Sequence, residues 1–239
     1  MRKKKKILSK FANFASAVAV GLCVGCASPR LKPLPTVDVE SCEIHVVNKE
    51  YSFGIEPYER WIENENVFLE RLPTKGILPL LYVCQNSQSS GVVVFYGYQN
   101  TTFKDIFESE WDPIAGEEAA REFYHKAGME QSIAFRIGGV IPAAIVGDCA
   151  AKKNIALSSD LQSKELPRQI VLQPGEVRRG FIYFNKPKKN FSNEKDFFEA
   201  IRGGKLETKV FISGKGIQDL SFVIGQDKED GTETKSYRN

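Results

Sequence analysis

The chain has little of what catalysis draws on. Only two histidines, His45 and His125, stand in 239 residues. No G-x-S-x-G elbow, H-E-x-x-H pair, P-loop or dinucleotide fingerprint occurs, so the common signatures of hydrolases, zinc proteases and nucleotide binders are missing. No C-x-x-C follows residue 26, which leaves paired-thiol zinc or redox chemistry without a ligand set. Acid pairs such as Glu117-Glu118 and Glu108/Glu110 read as solvated charges. The Glu-Asp-Gly of residues 226–235 lacks the ligand spacing and the closing Glu of a calcium loop. These gaps lead us to expect no catalytic residue, no cofactor, no metal and no enzymatic activity. A repeat period is also absent, which argues against a solenoid or propeller.

An excess of positive charge is lacking too, once its position is considered. The net charge of +3 rests on six basic residues before residue 26 (Arg2, Lys3, Lys4, Lys5, Lys6 and Lys10). Beyond them, 27 of the 33 Lys/Arg face 30 Asp/Glu. The body of the chain is slightly acidic, and nucleic-acid binding is not expected.

What the N-terminus does have is order. The basic cluster is followed by a short apolar run, Phe11 to Leu22, and then by small residues and a cysteine. This is the layout of a secretory signal, and the run is shorter than the ~20 apolar residues of a spanning helix. The segment Cys23-Val24-Gly25-Cys26 resembles the bacterial lipobox. That resemblance implies cleavage after Gly25 and lipid attachment, palmitate included, at Cys26. Ala27, in place of Asp, resembles the outer-membrane sorting class. The expected organisation is a signal peptide over 1–25, a Pro-rich tether over 26–41, a domain over 42–225 and a polar, disordered tail over 226–239. The expected location is the outer membrane, lipid-anchored and facing the periplasm or the surface.

Three cysteines remain beyond the anchor: Cys42, Cys84 and Cys149. The compartment permits a disulfide, and spacing does not choose the pair. Cys84, inside LPLLYVCQN, reads as a buried thiol.

Within the domain, strand signals dominate. CEIHVVN (42–48) alternates, with His45 on its polar face. ILPLLYVCQN (77–86) and GVVVFYGY (91–98) read as a hairpin or meander across a polar turn. RQIVL and the stretch 177–184 flank a Pro-Gly turn, and LETKVFIS (206–213) and IQDLSFVIG (217–225) pair across GKG. Helices are predicted over 114–128 with Asp112-Pro113 as its cap, over 155–166, and over 193–204 with Asn193 as its cap and Gly203 at its end. Residues 58–72 fit either a helix or a loop with a short strand. Arg178 and Arg179 point to opposite faces of their strand and read as surface ion pairs. The expected fold is mainly β, an antiparallel β-sandwich with a helical, apolar segment inserted over 112–166. The patterns Ile77 to Asn86 and Leu172 to Phe184 look like extracytoplasmic Ig-like sandwich modules, a likeness of shape that carries no activity.

The apolar stretch FRIGGVIPAAIVGDCAA (135–151) stands apart. On a helix, Gly139, Ala143, Gly147 and Ala151 fall on one stripe, a spacing that lets two helices approach closely. The uncharged run, Ile137 to Gly147, covers only ~16 Å as a helix, about half the hydrocarbon core, and Pro142 would kink or break it. Packing on the sandwich is the expectation. Membrane insertion or self-association through 133–147 is the alternative. The functional expectation is therefore a non-catalytic binding or scaffold component, held to a membrane by lipid and meeting an envelope protein partner. A hydrolase using His45 or His125 is the reading from another class.

Overall fold

A computed structural model describes residues 30–124, 140–186, 191 and 193–225. Its ten strands are β1 (Ile44–Val47), β2 (Tyr51–Pro57), β3 (Ile77–Asn86), β4 (Val93–Tyr96), β5 (Thr102–Lys104), β6 (Glu110–Ile114), β7 (Gln169–Leu172), β8 (Val177–Asn185), β9 (Lys205–Ile212) and β10 (Gly216–Val223). Among the described residues four α-helices accompany them: α1 (Trp61–Val67), α2 (Gly116–Arg121), α3 (Val140–Lys164) and α4 (Glu194–Ile201).

The strands make an antiparallel β-sandwich. One sheet runs β1-β2-β3-β8-β6. In the other, β4 lies between β7 and β9, and β9 also pairs with β5 and, on its far edge, β10. Strand β6 belongs to both. Its first half pairs with β5 and its second half with β8. The sheets are thus hydrogen-bonded to each other at one corner, around the buried Trp111. That ring meets Phe103 edge-on at 5.4 Å and Phe197 at 5.9 Å, geometries that suit aromatic quadrupoles.

The first sheet is buried on both faces. Inward, Phe53, Ile55, Leu80, Tyr82 and Cys84 meet Phe95, Leu206 and Val210 of the second sheet. Outward, Leu81, Val83, Phe181 and Tyr183 pack under Phe68, Leu72, Ala119, Ala120, Leu157 and Leu161 of the helical layer. Double burial explains why β3 reads as a continuous apolar run, each fully buried side chain contributing about 2 kcal/mol. It also separates the cysteines. Cys84 faces the interior, whereas Cys42 packs under Gly54 on the opposite face, where a Cβ would lie 2.7 Å from the Cys42 sulfur. Both are buried free thiols.

Several expectations change. β3 and β4 do not form a hairpin. The polar turn between them carries the chain from one sheet to the other, and the buried Asn86 holds the crossing by donating to the carbonyls of Gly91 (3.1 Å) and Leu172 (2.9 Å). Asp112-Pro113 is not a helix start but part of β6, where Pro113 sits opposite Phe184. Helix α2 follows from Ala115 and ends at Arg121; residues 125–128 of the expected helix lie outside the described residues. The helix expected over 155–166 is the end of α3, which runs without interruption from Val140 and includes Pro142. Other readings stand. β9 and β10 pair from Ile212 to Gly216, and Asn193 caps α4 by accepting from Asp196 N at 2.8 Å. Among the described residues no helix is long and apolar enough to cross a membrane.

Candidate interaction face

The outer face of the first sheet positions the features with chemical content. Helix α3 lies on it through Leu157 and Leu161. Gly116 of α2 sits against the Leu161 backbone, where a Cβ would come within 2.8 Å, so only glycine allows this approach. Near its end α3 carries Asp160 and Lys164, four apart and almost fully buried, in an ion pair. Both reach the segment where α1 ends: Lys164 Nζ donates to Val67 O at 2.7 Å, and Leu69 N donates to Asp160 Oδ2 at 3.2 Å. Burial pulls the Lys164 ammonium below its usual range, and Asp160 works against that pull. A second cation joins them from the N-terminal side, Lys32, which donates to Phe68 O at 2.8 Å and to Glu65 O.

The N-terminal segment is applied to this face rather than held off it. Leu34 and Val37 pack on the outer core, Val39 is buried, and Arg179 Nε donates to Val37 O at 2.9 Å. Arg178, across the strand, pairs with Glu176. Where the helical layer ends, an open groove of ≈ 420 Å³ remains, with Val83 and Val177 in its floor and Asp38, Glu40, Val47 and Arg179 around it.

At the end of β2, Glu59 is 5% exposed, and its Oε2 has no hydrogen-bond partner in the structure. Burial pushes its carboxyl up to about 7. Arg202, 3.4 Å away, pulls it down, but Glu43 and Glu63 add to the rise. Between the ordinary carboxylate value and about 7 the folded chain holds a proton that the unfolded chain releases. Stability therefore falls as pH rises through this window, by about 3 kcal/mol. A Glu59→Gln protein should lose this slope, which denaturant midpoints at pH 5 and pH 8 would read. The sequence hides Glu59 among the charges of YERWIENEN.

The expected site residues are scattered. Cys26, Gly139 and His125 lie outside the described residues. Ala143, Gly147 and Ala151 share α3, and Ala151 is exposed, on the side away from Ala150. Ile155, one turn on, is 65% exposed. His45 points outward from β1, with Nδ1 at 3.2 Å from Cys42 O. Burial pushes the neighbouring Cys42 thiol up to about 11, so it stays protonated at neutral pH. Among the described residues no His, Cys, Asp and Glu group could hold a metal. No family model, no curated protein and no solved structure matches the chain.

Proposed function

We propose that this protein is a lipid-anchored protein of the bacterial outer membrane whose sandwich serves as a non-catalytic binding or scaffold component of an envelope assembly. The observation that carries the reading is Gly25-Cys26 placed behind a basic cluster and a short apolar run. Each methylene buried by the lipid contributes ~0.8 kcal/mol, so two or more acyl chains hold firmly. The partner-facing features are the open groove beside Arg179 and the outward side of α3.

A second reading is insertion or self-association through 133–147. It is favoured by Ala143, Gly147 and Ala151 sharing one unbroken helix whose next turn exposes Ile155. Fractionation of wild type and Cys26→Ala, each with and without deletion of 133–147, tests both. The lipid anchor predicts that Cys26→Ala alone moves a folded protein from the membrane to the soluble fraction. Retention of Cys26→Ala until 133–147 is also removed would favour the second reading.

A further inference from the structure

We propose that the helix-bearing face of the sandwich, around Leu31 and Ile62, lies against the lipid bilayer, with the second sheet turned away from it. The inference rests on lipid attachment at Cys26. Its physical basis is the length of the leash. Lys32 is fixed to the C-terminal end of α1 through the carbonyls of Glu65 and Phe68. The chain beyond it is held by Leu34 and Val37 in the outer core and by the bond from Arg179 to Val37 O. Lys32 stands only six positions after Cys26. Whatever path the chain takes between them, covalent geometry limits it to ~20 Å.

That reach is about the thickness of the helical layer and one sheet together, each layer adding ~10 Å. The leash leaves from the helical side, so the domain cannot present its second sheet to the same membrane without swinging the attachment point away from the anchor. Two large apolar side chains stand out on the attachment side, Leu31 at 51% and Ile62 at 66% exposure. The charges around them are balanced, Arg60 pairing with Glu63 and Arg71 with Glu65, so the apolar pair and the short leash set the orientation rather than net charge. Val171, on the edge strand β7 of the second sheet, is 51% exposed on the far side.

The test is photo-crosslinking in the full-length, lipidated protein in its native membranes. A benzophenone amino acid is placed at position 62 or at position 171. Lipid adducts are expected at 62, with only background at 171. A flexible Gly/Ser segment of about 20 residues inserted after Ser28 should keep the protein in the membrane fraction and abolish the adduct at 62, because the reach grows well beyond the layer thickness. Equal labelling at both positions, or an adduct at 62 that survives the longer leash, overturns the proposal while the membrane fraction still holds the protein. A protein recovered in the soluble fraction without any change at Cys26 overturns the anchor itself, and the orientation with it.

Discussion

Replacing Asp160 by alanine should cost the fold about 3–5 kcal/mol, because it leaves a buried ammonium without its counter-charge. Lys164 is 2% exposed and has no route to water in the native state. Without Asp160 it keeps Val67 O and the face of the Phe68 ring but no counter-charge, and Leu69 N loses its acceptor. The effect reaches beyond α3, since the same loop segment receives Lys32 from the N-terminal strap. Removing both charges together should be far milder. An Asp160→Leu, Lys164→Met pair trades an ion pair for packing, and such exchanges are often neutral. Urea unfolding of the two single variants and the double variant gives the cycle. If the double variant costs as much as the sum of the singles, the pair is not coupled, and the burial argument fails.

The second large effect is expected at Asp105. Its carboxylate is buried and fully used: Oδ1 accepts from Phe107 N and Ser109 N, each at 2.9 Å, and Oδ2 accepts from Trp111 Nε1 at 3.2 Å and from Lys186. These bonds close the turn between β5 and β6, where Glu108 adopts a left-handed φ of 59°. Alanine here orphans Lys186 and the indole N–H in the corner that joins the sheets, a loss of about 3–5 kcal/mol. Asparagine should fare little better, since its amide turns a donor toward other donors. Burial pushes the Asp105 carboxyl up, but the hydrogen bonds from Lys186, Ser109 N and Trp111 outweigh it and hold the group below its usual value. Its contribution is therefore present above the ordinary carboxylate range and is lost as pH falls through and below about 4. Glu59 acts in the opposite sense and at higher pH. The wild-type stability curve should rise from neutral toward pH 5 and then collapse in acid. Removing Asp105 should flatten the acid limb, and removing Glu59 the neutral one.

Local signals that demand a single backbone geometry were legible. The GKG between β9 and β10, the Asn193 cap and the alternation of β1 each fix structure within a few residues. The β-sandwich followed from their spacing. What escaped was decided at long range. The polar turn after β3 is the same whether a chain folds back or crosses to another sheet, and only the reach of Asn86 to Leu172 distinguishes the two. Strand β2 was not expected from the sequence; it holds Gly54 and Pro57, residues that weaken a strand pattern, and Gly54 is there to admit the Cys42 sulfur. Strand β6 was missed because Asp-Pro is an equally good helix start. In the helical layer, Asp160 and Lys164 stand four apart on a helix, a spacing shared by ordinary surface pairs. Their burial depends on a loop 91 residues away in sequence.

The pairing of β3 with β8 also sets an order of events. Ile77 stands opposite Asn185, so the central ladder of the first sheet waits for residues synthesised long after β3 itself. Everything between them, the whole of α2 and α3 included, must emerge before β3 has a partner on that side. Such non-local pairing makes for slow acquisition of structure.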